Sequence, residues 1–331
     1  MSAAQPIAPM PAASLRIAYD TAPAHSLLAR PGVLAVIGFA PHAAVDDARH
    51  LRVPLHGADA APLPSEIWQV EGAVRHGRDG DLRWAEGGDY LFLALDLDES
   101  VLGGPEAAAE HAYRRLAEAM RGHGYPHLLR AWNYLAAINE GEGDAERYRR
   151  FSLGRLRGMG DWPSSRFPAA TAIGHLDPQP RLLVYALAAR RIGHPVENPR
   201  QVSAYRYPRQ YGPVPPSFAR AMRVDTRPPM LLVSGTASVV GHASAHEGDA
   251  AAQAAETLRN LDALVRAAGL GERLGACAGI RLKAYLRHPG YLPVLRATLA
   301  AAGIAPEAVL FLHGEICRRE LLLEIDGIAA A

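Results

Sequence analysis

The feature that most constrains the fold of this chain is a faint internal repeat. Each half contains an apolar strand, an amphipathic helix, a mixed strand and a closing apolar strand. In each helix the apolar residues recur at steps of three and four, which places them on one helical face. They are Ala109, Tyr113, Leu116 and Met120 in the first half, and Ala254, Leu258, Leu261, Val265 and Ala268 in the second. A repeated unit of this kind predicts an α+β fold made of two similar units.

The predicted strands of the two halves can also be matched. Tyr134 and Tyr285 fall at corresponding places in the mixed strands. Sequence identity between the halves is low, so a chance resemblance of two α+β halves stays an alternative. The matched pairs, in chain order, are "GVLAVIGF" with "PMLLVSGTAS", "LLRAWNYLA" with "GIRLKAYLR", and "RLLVYALAA" with "LLLEIDGIAA".

The two halves are joined by a segment rich in proline, tyrosine and arginine, without a long period. Such a segment is typical of a linker or a functional loop. We therefore divide the chain into an N-terminal extension (1–30), a first unit (31–190), a connecting segment (191–228) and a second unit (229–331). In each unit we expect a mixed β-sheet with helices packed on one face.

The composition excludes several classes of protein. Of the 331 residues 21% are charged and the net charge is +1, so the basic excess of a nucleic-acid-binding protein is missing. Two cysteines, Cys277 and Cys317, are too few for a disulfide framework or a zinc site. The chain shows neither a signal-peptide pattern nor an apolar stretch of about 18 residues. We expect a cytoplasmic protein without a nucleic-acid or membrane partner.

One acidic residue stands inside the apolar closing strand of the second half. In "ICRRELLLEID", Leu323 and Ile325 lie on one face of the predicted strand, and Glu324 and Asp326 on the other. Burial disfavours a charged carboxylate, so the pKa of Glu324 is expected to rise toward neutrality, which would make it a proton donor. An ion pair between Glu324 and a core arginine is the alternative interpretation.

The second half resembles the RidA (YjgF/YER057c/UK114) family. The resemblance implies an active cleft at a subunit interface, with Glu324 in the place of the family's glutamate. It also implies an arginine, before that glutamate in sequence, that grips a substrate carboxylate. This chain has Val309 at that place and Ala169 at the corresponding place in the first half, which disfavours deamination. The stretches that carry the resemblance are "VSGTAS", "AAQAAETLRNLDALVRAAG", "GIRLKAYLRHPGYLPVL" and "LLLEIDGIA".

Nearly the whole chain is similar to the chorismatases, through both halves and the stretches "ERYRRFSLGR", "FPAATAIG" and "SAYRYPRQYGPVPPSFARA". This resemblance implies that the enolpyruvyl group of chorismate is removed as pyruvate, without a metal or cofactor. The implied products are 3-hydroxybenzoate and 4-hydroxybenzoate. It further implies an active-site role for Cys317, since 3-hydroxybenzoate-forming members, unlike the diene-diol-forming hydrolases, have a cysteine there.

The sequence leaves more than one interpretation open for the assembly and for the activity. RidA proteins are trimers, but a chain with two units needs fewer partners, so we expect a monomer or a small homo-oligomer, with a trimer possible. Chorismate is the one partner that the resemblance implies. An imine or enamine deaminase of RidA type, or a ligand-binding protein of that fold without turnover, are the alternative functions.

Chorismate carries two carboxylates, so its binding calls for cationic groups. Arginine suits this role because its planar fork grips a carboxylate with two hydrogen bonds. Arg155 and Arg209 are the candidates within the chorismatase-like stretches, and Tyr205 and Tyr211 are candidates for an aromatic wall. Each of the four can equally be an ordinary surface or packing residue.

Two further patterns near residue 240 bear on ligand binding. The turn at Gly235, Thr236 and Ala237 lacks the lysine and spacing of a phosphate loop, so we expect a close backbone approach to the ligand there. His242 and His246 are four residues apart, but no third ligand stands at a familiar spacing. We therefore predict no metal site, and Asp249 is better interpreted as a helix N-cap.

Overall fold

The computed structural model describes residues 14–41 and 45–331. Within these residues the chain forms three large β-sheets, and long helices cover the outer faces of two of them. The α+β class predicted from the sequence is confirmed. Apart from two short edge strands, each sheet is built from one continuous part of the chain. No helix within the described ranges is long and apolar enough to cross a membrane.

The first sheet is formed by residues 15–70. Its elements are β1 (Leu15–Asp20), α1 (Ala24–Leu28), β2 (Val33–Phe39), β3 (His50–Val53), β4 (His56–Gly57) and β5 (Ser65–Val70). The strand order is β1-β5-β2-β3, while β4 joins the edge of the third sheet. β1 thus pairs with β5 although it lies in the stretch interpreted as an N-terminal extension, of which residues 1–13 lie outside the described residues.

The second sheet carries two long helices on one face. Its elements are β6 (Arg75–Asp79), β7 (Leu82–Gly87), β8 (Tyr90–Asp98), α2 (Glu99–Leu102), α3 (Pro105–His123), β9 (His127–Ala136), α4 (Arg147–Met159), β10 (Ala169–His175) and β11 (Arg181–Ala189). The strand order is β10-β9-β11-β8-β7-β6. α3 ends at Gly124, whose φ of 76° is the left-handed conformation that favours glycine after a helix.

The third sheet contains the closing strand with Glu324. Its elements are β12 (His194–Val196), β13 (Ala221–Val224), β14 (Met230–Thr236), β15 (Val239–Val240), β16 (Ala243–Ser244), α5 (Ala250–Ala267), β17 (Ala278–Leu286), α6 (Leu292–Ala301), β18 (Val309–His313), β19 (Glu315–Ile316) and β20 (Leu323–Ala330). The strand order is β12-β13-β14-β20-β17-β18-β4, β15 and β16 pair with each other, and β19 extends the second sheet next to β10. Asp249 caps α5 as expected, because its side chain accepts the N–H of Ala252.

The two larger sheets share one topology. In the second sheet β8, β11 and β9 are antiparallel neighbours and β10 runs parallel to β9. In the third sheet β14, β20, β17 and β18 have the same order and directions. The predicted repeat of two units is therefore confirmed by strand order. The first sheet repeats the pattern again as β1, β5, β2 and β3, so the chain contains a third and shorter copy.

One predicted strand match is wrong. "GVLAVIGF" forms β2 of the first sheet, and the counterpart of β14 in the second sheet is β8. β2 and β8 are both largely apolar and almost entirely buried, so the periodicity of the sequence does not distinguish them. The matches of β9 with β17 and of β11 with β20 are confirmed, and the hydroxyls of Tyr134 and Tyr285 lie 3.1 Å apart.

A common core lies between the three sheets and contains a buried charged network. Large aromatic residues from different sheets meet there, with 5.4 Å between the ring centroids of Trp68 and Trp132. Beside them, the ammonium of Lys283 lies 2.8 Å from Glu66 and 3.9 Å from Asp326. All three side chains are at least 95% buried, so each charge depends on its neighbours rather than on water.

We expect Lys283→Met to lower the free energy of unfolding by about 3–5 kcal/mol, because it leaves the buried charge of Glu66 uncompensated. Adding Glu66→Gln should restore much of the loss, since the amide carries no charge. Urea unfolding of the two variants measures both effects. Arg209→Ala is the control, because it breaks an exposed ion pair with Asp144 and should change the stability little. A single Lys283 variant as stable as this control would contradict the prediction.

Candidate active site

A cleft of about 450 Å³ opens between the second and third sheets. A narrow extension of about 40 Å³ continues from it between α4 and β10. Glu324 and Cys317 line both spaces, which places them at the junction. Other residues on the walls come from α4, the connecting segment, β14 and the loop before β20, and include Tyr148, Arg149, Tyr207, Tyr211, Arg220, Gly235, Ala237 and Arg318.

Glu324 lies at the floor of this cleft because of the alternation of β20. Leu323 and Ile325 pack into the core below α5 and α6, whereas Glu324 points to the opposite face. Its side chain is only 5% exposed, and its carboxyl group has no hydrogen-bond partner among the residues that the structure describes. The buried arginine of this region, Arg130, pairs instead with Asp326 at 3.3 Å.

The environment of Glu324 favours its neutral form. Burial raises the pKa of Glu324 to about 8, and the negative charge of Asp326 adds to the increase. The guanidinium groups of Arg130, Arg220 and Arg318 act in the opposite direction but do not outweigh these two effects. Glu324 is therefore a protonated acid at neutral pH, in contact with the open space of the cleft.

The carboxyl group of Glu324 occupies the space in which a side chain at residue 235 would lie, which favours glycine there. A Cβ atom at residue 235 would lie 2.0 Å from Oε1 of Glu324. The backbone at this turn therefore approaches the acid closely, and Gly235 also lines the cleft and its extension. Ala237 also lines the cleft, but Thr236 does not, because its hydroxyl is buried and donates to the carbonyl of Ser234 at 2.9 Å.

Arg155 is the cationic group of the narrow extension. It projects from α4, is 4% exposed, and stacks 4.8 Å above the ring of Tyr113. Its Nε and Nη2 have no hydrogen-bond partner in the described structure. Buried guanidinium donors are costly to leave unpaired, so this end of the cleft is suited to receive an anionic group.

Two further arginines lie at the wider end of the cleft, and the sequence analysis missed both. Arg220, directly before β13, donates to the carbonyl of Val202 at 2.9 Å, and its Nε has no partner among the described residues. Arg318 lies 4.1 Å from the ring of Tyr211 and donates to the carbonyl of His242 at 2.9 Å. The cleft thus has separate cationic groups at both ends.

The structure does not bring Arg209 and Tyr205 to the cleft. Arg209 is at the surface, where its 66% exposed side chain pairs with Asp144. Tyr205 packs beside Phe167, with 6.0 Å between the ring centroids. Both residues lie in short 3₁₀ turns of the connecting segment, where successive side chains point in different directions. Tyr207 and Tyr211 of the same segment do face the cleft and form its aromatic wall.

The two histidines of the loop after β15 lie against different neighbours. Nδ1 of His242 is 3.2 Å from the hydroxyl of Tyr211, and Nε2 of His246 is 3.6 Å from Glu256. Within the described ranges, no group of three His, Cys, Asp or Glu side chains is arranged to hold a metal ion. His242 instead helps to position the aromatic wall.

Cys317 stays an uncharged thiol in this environment. Burial raises the pKa of Cys317 to about 12, and the nearby charge of Glu324 acts in the same direction. A thiol is a weak nucleophile compared with a thiolate. The position of Cys317 between the cleft and its extension therefore suits a wall residue that controls shape and water access.

We expect Gly235→Ala to destabilise the protein by about 1–3 kcal/mol, because the new methyl group collides with the Glu324 carboxyl. In a Glu324→Ala background the same substitution should cost much less, and urea unfolding of the four proteins measures the coupling. Gly122→Ala in α3 is the control, since a Cβ there meets nothing within 4 Å. Equal costs in both backgrounds would show that the collision is not with Glu324.

Comparisons with known proteins show to which family the chain belongs. The family model "Chorismatase FkbO/Hyg5-like, N-terminal" matches residues 66–188. A 3-hydroxybenzoate synthase of Streptomyces hygroscopicus is 34% identical over 84% of both chains, and a chorismatase of Streptomyces rapamycinicus is 37% identical over 80% of this chain and 82% of its own. A chorismatase crystal structure matches with a TM-score of 0.83 and 31% identity, over 97% of this chain and 99% of that one. The chain therefore belongs to the chorismatase family.

Proposed function

We propose that this protein removes the enolpyruvyl group of chorismate as pyruvate and forms 3-hydroxybenzoate together with 4-hydroxybenzoate. The observation that carries the proposal is a buried, unpaired Glu324, whose pKa burial raises to about 8, in a cleft with arginines at both ends. Chorismate has the matching chemistry, with two carboxylates and an ether that needs a proton to leave. The relatives named chorismatase and 3-hydroxybenzoate synthase support the same substrate.

The two carboxylates of chorismate would be held at opposite ends of the cleft. Arg155 can bind one carboxylate in the narrow extension, where its Nε and Nη2 have no hydrogen-bond partner among the described residues. Arg220 and Arg318 can accept the other at the wide end, against the ring of Tyr207. Binding at both ends would fix the ring between them and bring the ether oxygen to the middle, where Glu324 lies.

Glu324 would then start the reaction as a general acid. It transfers its proton to the methylene carbon of the enolpyruvyl group, which converts the ether into an oxocarbenium ion. The bond between the ring carbon and the ether oxygen breaks, its electron pair stays with oxygen, and pyruvate leaves as the ketone. A positive charge remains on the ring, and the carboxylate of Glu324 stands ready to take a proton back.

The fate of this ring cation decides the product. If the neighbouring hydroxyl oxygen attacks it and gives its proton to Glu324, an arene oxide forms and opens to 3-hydroxybenzoate. If the hydrogen on the hydroxyl-bearing carbon is lost instead, 4-hydroxybenzoate results. Both routes restore the protonated acid. Cys317, at the junction of the cleft and its extension, would exclude the water that otherwise adds to the cation.

Formation of both products would make the protein similar to the bifunctional 3- and 4-hydroxybenzoate synthase of xanthomonadin biosynthesis, with 4-hydroxybenzoate as a possible supply for ubiquinone biosynthesis. Free thiols at both cysteines support the proposed cytoplasmic location. One chain supplies both sides of the cleft, which supports the monomeric alternative for its assembly. RidA-type deamination is disfavoured, since Val309, at the place of the RidA arginine, is buried in the core under the helices.

We expect Glu324→Gln to fold normally and to release pyruvate from chorismate at less than about a hundredth of the wild-type rate, since the amide cannot donate this proton. Pyruvate is measured by a coupled lactate dehydrogenase assay, and the hydroxybenzoates by chromatography. A folded variant that retains about a tenth or more of the wild-type rate would remove Glu324 from this role, because the loss of a general acid should slow the reaction more than that.

Arg155→Ala should reduce kcat/KM for chorismate about tenfold to more than a hundredfold, because it removes a charge-assisted contact of about 1.5–3 kcal/mol. Arg209→Ala is the matched control, since it removes an arginine at the surface and should leave kcat/KM within about twofold. Steady-state kinetics with both variants give the comparison. Equal effects of the two substitutions would mean that Arg155 does not bind a carboxylate of the substrate.

Cys317→Ala should alter the ratio of 3-hydroxybenzoate to 4-hydroxybenzoate, or release a dihydrodiol, because it opens space for water beside the ring. A change of about 1.4 kcal/mol between two barriers alters a product ratio tenfold. The products of wild type and variant are compared at equal chorismate consumption. An unchanged ratio at an unchanged rate would mean that Cys317 is only a packing residue, and complete inactivity of a folded variant would mean that the thiol takes part in the reaction.

A further inference from the structure

The repeated topology gives the catalytic cleft a counterpart elsewhere in the molecule. Glu324 pairs with Tyr285 between β20 and β17, and Leu183 pairs with Tyr134 between the corresponding strands β11 and β9. Leu183 thus occupies in the second sheet the position that Glu324 occupies in the third. If the two sheets border similar spaces, a cleft with leucine in the place of the catalytic glutamate should lie there.

Such a cleft is present between the first and second sheets. Its volume is about 470 Å³, close to the 450 Å³ of the catalytic cleft, and Leu183 lines it. The opposite wall is formed by residues 50–52 of β3, which is the topological counterpart of β10 on the wall beside Glu324. The two clefts therefore lie at corresponding sheet boundaries, with leucine at the catalytic position in one and glutamate in the other.

The charges of this second cleft leave cationic groups available. Two of its arginines are neutralised, Arg78 by Asp46 at 2.5 Å and Arg181 by Asp96 at 2.7 Å. Arg83 is half-buried, donates to the carbonyl of His50 at 2.9 Å, and has no ion pair with the described residues.

Arg52, on the opposite wall, is exposed and also has no ion pair in the described part of the chain. Asp177, the remaining acid of this cleft, accepts the N–H of Gln179 at 3.0 Å. Burial, and after it the charge of Arg78, lower the pKa of Arg83. The site is thus suited to one small anionic group between Arg52 and Arg83.

Beside these charged groups, and beside His50 and Gln179, the second cleft has four apolar residues in its lining, Val45, Leu51, Pro54 and Leu183. We propose that this cleft is a binding site for a small aromatic carboxylate, with the carboxylate on Arg83 and Arg52 and the ring against these side chains. Leucine at the catalytic position has no proton to transfer, so the ligand is bound and not converted. The proposal depends on this second cleft alone and stands independently of the reaction at Glu324.

Benzoate is the probe, measured by equilibrium dialysis with the full-length protein. Arg155→Ala is used as the background, so that binding of the carboxylate in the catalytic cleft is weakened. In this background we expect at least one benzoate per chain whose binding depends on Arg83 and Arg52, whereas benzoate held by Arg220 and Arg318 in the catalytic cleft would not depend on them. Adding Arg83→Leu should weaken that binding at least about tenfold, through loss of a charge-assisted contact, and adding Arg52→Ala instead should also weaken it.

The controls separate binding from folding and from catalysis. Arg83→Leu alone should still unfold in one cooperative transition in urea and keep kcat/KM for chorismate within about twofold, because Arg83 lines the second cleft and not the catalytic one. Arg114→Ala, on α3 and paired with Glu110, is an arginine control that should leave benzoate binding unchanged. Absence of benzoate binding in the Arg155→Ala protein would overturn the proposal. Binding that is equal with and without both Arg83 and Arg52 would overturn it as well.

Discussion

The proposed activity depends on the burial of one carboxyl group without a cationic partner. The three copies of the sheet make this clear, because Glu66 pairs with Ile37 in the first sheet at the position that Glu324 has in the third. Glu66 is bonded to Lys283 at 2.8 Å and to the indole N–H of Trp68 at 2.7 Å. Glu324 has no such bond among the described residues, so the same backbone position gives a structural ion pair in one copy and a proton donor in the other.

The buried network behind Glu324 maintains this difference. Lys283 lies nearer to Glu66 than to Asp326, and Arg130, which pairs with Asp326, also donates to Thr171 on the wall of the cleft. The cations of the core are thus held by other acids, and the charge of Asp326 reinforces the high pKa of Glu324. Gly235 completes the arrangement, because its missing side chain leaves the space that the carboxyl occupies. Stability and acidity are in this way set by the same residues.

The sequence revealed those features that alter a local pattern. The carboxylate at 324 interrupts an apolar strand, so periodicity could place it. Arg155 was found in another way, because it lies in a stretch that resembles the chorismatases. The third copy of the sheet was missed because its helix α1 has five residues and shows no period. Arg220 and Arg318 were missed, and Arg209 and Tyr205 preferred, because side-chain directions in the irregular segments around them depend on tertiary contacts that leave no repeat in the sequence.

The most direct test of this account is the protonation state of Glu324 itself. Infrared difference spectra between wild type and Glu324→Gln isolate the carboxyl band of this residue, and they can be recorded as the pH is raised through the neutral range. The account predicts that the band of the protonated acid persists at neutral pH and disappears with a midpoint pKa of about 8, and that Asp326→Asn shifts the midpoint to lower pH. A midpoint near the ordinary glutamate pKa of 4.5 would contradict it.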